Sequence, residues 1–143
     1  MSYHNILVAI NTNENLKTIV NKGIEIARNH NATLSTIHID MKFEDFYIGE
    51  LDFDFEKYDE MARDRSQSDI LAKLGDLDYP ITNSIICSGD LSNEIIDTIK
   101  KNNIDLLIMG HHHYSRLGQF FMSVSAPLIE AMPCDILLIK VTQ

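Results

Sequence analysis

Ser88 to His113 reads SGDLSNEIIDTIKKNNIDLLIMGHHH, and that single run contains a chain break, a helix, a strand and a glycine. Ser88, Gly89 and Asp90 interrupt the chain, and Asp90 is placed to cap a helix carrying Leu91, Ile95, Ile96 and Ile99 on one stripe. Lys100 and Lys101 fall in its last turn, where the negative end of the helix dipole favours cations. Ile104 to Met109 is then an apolar run of strand length.

The same alternation extends in both directions. Asn5 to Ile10 predicts a strand whose continuous apolar run, Ile6 to Ile10, suits a parallel sheet covered on both faces. A polar turn, Asn11 to Asn15, leads into Leu16, Ile19, Val20, Gly23, Ile24 and Ala27 at helical spacing up to His30. Thr33 to Ile39 predicts a second strand, and Ile81 to Cys87 a third after the Tyr79–Pro80 turn signal. Beyond the quoted run, a last helix is expected from about Ser123 to Met132, with Val124, Leu128 and Met132 on one face and Pro127 early enough to forfeit little bonding. Asp135 to Val141 predicts the fifth strand. Strands alternating with helices at this spacing imply right-handed βαβ units, an α/β class with a parallel sheet and helices on both faces.

The chain has 143 residues, 45% of them hydrophobic and 23% charged, which suits one self-sufficient domain over 1–143. Its formal net charge of −9 repels polyanions, so nucleic acid and acidic membrane surfaces are not expected partners, and the plain use of that charge is solubility. Cys87 and Cys134 lack CxxC spacing and sit in apolar runs, which reads as core packing. Neither a leader pattern nor an apolar run of 18 residues is present, so a cytoplasmic protein is expected. Met41 to Met61 departs from the alternation: Phe43, Phe46, Phe53 and Phe55 interleave with Glu44, Asp45, Glu50, Asp52, Asp54 and Glu56. Two readings stand for it, a cover over the site or a partner subunit, and a loop anchored to its own domain by aromatic rings.

In an open parallel sheet, ligands bind beyond the carboxyl ends of the strands. Asn11 to Asn15 and Gly110 to Met122 are the loops that matter there. ILVAI at 6–10, the run from Ser88 to His113, and PCDILLI from Pro133 to Ile139 resemble the universal stress protein family across essentially the whole chain. HIDMKFEDFYIGELDFD from His38 to Asp54 is further similar to its A-type branch. The resemblance implies a Rossmann-like sheet of five parallel strands in the order 3-2-1-4-5. It also implies a homodimer, often formed by pairing of the last strands, here Asp135 to Val141, with heterodimers between family members as a second possibility.

ATP-binding members of that family carry a loop of the form Gly, two residues, Gly, nine residues, Gly, then Ser or Thr. Gly110 matches the first glycine, but His113 stands at the second and Met122 at the third, with Ser123 as the hydroxyl and the loop one residue short. A Cβ at those places restricts positive φ and keeps phosphate oxygens from the backbone N–H groups. Gly118 is out of register. Asn11 replaces an acidic residue, so it can bond a hydroxyl but brings no charge for Mg²⁺. The degenerate site is therefore Asn11, Gly110, His111, His113 and Ser123, with no cofactor expected.

His111, His112 and His113 suggest a metal tract, but adjacent residues in an extended loop point alternately and match no ligand spacing; no metal is expected. Imidazole recognition of an anion or nucleotide is the other use, and a polar loop with one packed ring is the plain one. GxxxxGK[ST], GxGxxG and GxSxG are missing, so no catalytic residue is assigned. The sequence thus predicts a stress-response protein that acts by association and is not an enzyme. The rival is an ATP-binding switch built on the degenerate Gly110–Ser123 loop.

Overall fold

The structure is a computed structural model that describes residues 2–10, 16–39, 77–87, 91–111 and 126–140. In chain order these form β1 (Asn5–Ile10), α1 (Leu16–His30), β2 (Thr33–Ile39), β3 (Ser84–Cys87), α2 (Leu91–Lys101), β4 (Leu106–His111), α3 (126–131) and β5 (Asp135–Lys140). All strand pairs are parallel, in the order β3-β2-β1-β4-β5. The expected class and strand order are both found.

The continuous apolar run of β1 is divided between the two faces of the sheet. Ile6, Val8 and Ile10 pack with Ile19, Val20, Ile24 and Ala27 of α1. Leu7 and Ala9 point the other way, into a cluster with Ile95 and Ile99 of α2, Met109 of β4 and Leu128 of α3. Burying both faces of the central strand is what keeps the ladder out of water.

Each of the two longer helices ends on an asparagine with positive φ, Asn31 at 52° and Asn103 at 51°. Ala32 N–H donates back to Ala27 O at 2.9 Å and Ile104 N–H to Ile99 O at 3.0 Å, the bonds of a Schellman cap. Because Ile104 closes the α2 cap, β4 begins at Leu106 rather than Ile104 and runs to His111 rather than Met109. β3 also starts later than expected, at Ser84: Thr82 N–H reaches Leu34 O and Asn83 O accepts from Thr36 N–H, without a regular ladder across Ile81 to Asn83. The connection back from the undescribed segment is clamped. Arg28 pairs with Asp78 at 2.6 Å and lies over the Tyr79 ring, while Tyr79 Oη donates to Ala32 O.

α3 departs from expectation at Met132. Leu128 is fully buried, but Met132 is 54% exposed, because it lies past the last turn at φ 41° with its N–H on Leu128 O. Val124 and the expected start at Ser123 fall outside the described residues, as do the Asp90 cap, the Met41–Met61 stretch and Val141.

Candidate functional site

β1 and β4 are neighbours, yet their connections leave for opposite faces. α1 follows β1 on one side, and α3, whose Leu128 joins the second cluster, follows β4 on the other. In open α/β sheets such a divergence marks the crevice beyond the carboxyl ends of the two strands where ligands bind. Its described floor is Ile10 and Gly110, both buried, flanked by His38 across from Ile10 and by Ile139 across from Gly110.

Gly110 is not the first loop residue that the sequence reading made it. The β4–β5 ladder continues through Gly110 opposite Ile139 and His111 opposite Lys140, so both residues belong to β4. Asn11, His113 and Ser123 lie outside the described residues, as do His112, Gly118 and Met122. Gly110 and the backbone of His111 are therefore what the structure brings to the crevice from the predicted set.

His38 was missed. It is 1% exposed, and strand alternation places it with Leu34 and Thr36 on the α1 side of β2. Thr36 Oγ1 and Ser84 Oγ are bonded at 3.3 Å, so a polar strip runs inside the apolar layer toward the crevice. The available signal is a histidine inside the strand-length run TLSTIHI, Thr33 to Ile39.

The titrating groups with displaced pKa values lie elsewhere. Burial pushes the Cys134 thiol up to about 11, with the nearby Asp135 and Asp105 charges adding to it. The Tyr3 hydroxyl is raised above the ordinary phenol range by its hydrogen bond to Asp135. Two clefts, of about 480 and 350 Å³, flank that Tyr3–Asp135 contact at the amino ends of the strands, away from the crevice. Cys134 is half-buried against the second cluster, so it is only partly the core residue expected, and the side chain of Cys87 is outside the description. Among the described residues no three His, Cys, Asp or Glu side chains are grouped to hold a metal, and no helix is long and apolar enough to cross a membrane.

The sequence profile of the universal stress protein family matches residues 2–140. The chain belongs to the universal stress protein family. This universal stress protein is 32% identical to universal stress protein A of Salmonella typhimurium over 141 residues, covering 97% of this chain and 95% of that protein. A homologue from Haemophilus influenzae is 32% identical over 139 residues, with 96% of each chain covered. Among solved structures, a family member from Burkholderia pseudomallei superposes with a TM-score of 0.68 at 18% identity, over 96% of each chain. A universal stress protein in complex with cAMP gives 0.58 at 17% identity, over 99% of this chain and all of that one. An Arabidopsis thaliana family protein with AMP bound gives 0.59 at 16% identity, over 97% and 92%. These structural likenesses establish the fold, and membership of the family supports a role in the stress response.

Proposed function

We propose that this universal stress protein acts in the cytoplasm by association through β5, as a homodimer or with other family members, without binding ATP and without catalysing a reaction. The observation that carries this reading is the edge made by β5 and α3. β5 is the last strand of the sheet, and the large apolar side chains most exposed among the described residues are Leu138 (40%) on that strand, and Ile129 (45%) and Met132 (54%) in the stretch that leads into it.

Ile136, Leu137 and Ile139 of the same strand are only half-buried, on both faces of the sheet. An apolar edge of this kind invites pairing, since its outward N–H and C=O groups need partners and its side chains need cover. Two β5 strands related by a two-fold axis supply both at once. Met132 adds to the argument, because a residue with a Cβ costs about 1–2 kcal/mol in the left-handed region. Keeping a strained and exposed apolar side chain there fits a contact surface better than a simple helix stop. Sedimentation of a Leu138→Lys variant tests the proposal: it should be monomeric at concentrations where the native chain is dimeric, and an equally tight Leu138→Lys dimer rejects it.

ATP is disfavoured by the sequence: His113 and Met122 carry side chains where phosphate oxygens must approach backbone, and Asn11 brings no charge for a metal. The nucleotide-switch reading draws on the crevice beside Gly110 and on structural neighbours that hold cAMP and AMP. Thermal melts with Mg-ATP separate the two. A ligand at 100 times its dissociation constant adds about 2.7 kcal/mol to the native state, several degrees in midpoint for a chain of this size.

A further inference from the structure

α1 packs on β1, β2 and β4, and a cleft of about 480 Å³ is left between its last turns and the amino end of β5. One wall of this cleft is apolar. It is made by Ile26 of α1, Leu106 of β4 and Leu137 of β5, of which Ile26 and Leu137 are only half-buried at the margin of the α1-side core. The other wall is polar and aromatic. Tyr3 Oη donates to Asp135 Oδ2 at 3.0 Å, and Tyr3 N–H donates to His30 Nδ1 at 3.1 Å. The Tyr3 and His30 rings meet with centroids 5.2 Å apart and planes tilted by 51°. These two hydrogen bonds hold both rings and the carboxylate in one corner.

Charge decides what such a corner takes. Asp135 is exposed, and among the described residues Tyr3 is the one side-chain partner of its carboxylate, so Oδ1 is open to a donor. No Lys or Arg is among the described residues that line the cleft, and Arg28 of the same helix is engaged with Asp78. With a net charge of −9 on the chain, anions are repelled. A ring face beside a carboxylate attracts a cation twice, through the ring quadrupole and through the charge. An exposed ion pair is weak by itself, so a bare ammonium ion would not be retained. The half-buried apolar wall gives hold to a cation that carries hydrocarbon.

We propose that this cleft binds a small amphipathic organic cation, an amine whose ammonium group sits at Asp135 and Tyr3 and whose apolar body lies along Ile26, Leu106 and Leu137. The volume falls within the ordinary range of small-molecule sites, about 300–1,000 Å³. Binding is reversible and no covalent bond changes. The cleft is formed within one chain, and Leu137 faces it while Leu138 points to the opposite side of the sheet, so the site does not depend on pairing of β5.

The test is an amide NMR titration of the full chain with phenethylammonium at constant ionic strength, compared with phenylpropionate and with ethylammonium. Saturable shifts are expected at the Tyr3, Ile26, His30 and Leu137 amides with phenethylammonium and none there with the anion. Ethylammonium, which lacks the apolar body, should bind about tenfold more weakly. Asp135→Asn keeps an acceptor for Tyr3 and should weaken binding about fivefold, and Tyr3→Leu should weaken it to a similar degree. Asp97→Asn removes the same charge from the exposed face of α2 and should leave the affinity unchanged. Unmoved resonances in the rest of the spectrum show that each variant is folded. Shifts that do not saturate, equal shifts from phenylpropionate, or an Asp135→Asn chain that binds as tightly as the native one overturns the proposal. So does an equal loss in Asp97→Asn, which would mark attraction by net charge alone.

Discussion

Gly23→Ala places a methyl group 2.7 Å from Val8 Cγ2, with Leu34 Cδ1 at 3.5 Å and Ile108 Cδ1 at 3.9 Å. Val8 is fully buried and stiff at χ1, so it cannot swing aside, and α1 has to ride outward from the sheet. Overpacking of this kind costs about 1–3 kcal/mol. Alanine returns about 1 kcal/mol over glycine in a helix interior. The net expectation is a loss of about 1 kcal/mol, or about 4 °C in midpoint for a chain of this length. Urea unfolding followed by far-UV circular dichroism measures it, and the Val8→Ala background supplies the control. With Cγ2 removed the collision is gone, so Gly23→Ala should there become stabilising by up to about 1 kcal/mol. A rise in stability from Gly23→Ala in the native background would refute the close approach of α1 to β1.

Met132→Gly should raise the stability of the isolated chain by about 1 kcal/mol, since glycine adopts the left-handed conformation freely, while weakening association by removing exposed apolar surface; melts and sedimentation together read the opposite signs. Asp105→Ala strips the acceptors from the His4 and Asn5 amides and should cost about 2 kcal/mol, with the loss of protection at those two amides seen by hydrogen exchange. For Cys134 the folded pKa is raised to about 11, so its stabilising contribution is complete below the ordinary thiol range and lost as pH rises through that range toward 11. Accordingly, alkylation of Cys134 at pH 8, followed by peptide mass spectrometry, should be slower than that of a free thiol by on the order of a hundredfold, and it should match the free-thiol rate if the burial is wrong.

The fold was largely written in the apolar runs. β1, α1 and β2 have the limits that their periodicity marks, because each is bounded by a sharp change from apolar to polar residues. The displaced limits have a common origin in groups whose role depends on tertiary contacts. Ile104 looks like a strand residue, yet its amide completes a helix cap. Asp105 falls inside the run that the sequence predicts as strand, although it precedes β4 and its carboxylate accepts from the His4 and Asn5 amides. Met132 fits the helical stripe in sequence, and its left-handed φ takes it off that stripe. At the candidate site, Gly110 was recognised as a residue of interest, but its pairing with β5 depends on a register that no local pattern encodes. His38 escaped notice because a buried polar side chain inside a strand has the same spacing as an apolar one.

The most direct test of association without nucleotide is sedimentation equilibrium of the purified chain over a range of concentrations, with and without millimolar Mg-ATP. The expected result is a dimer whose dissociation constant is the same in both conditions. A monomer throughout, or a dimer that forms or tightens only when Mg-ATP is present, would contradict it.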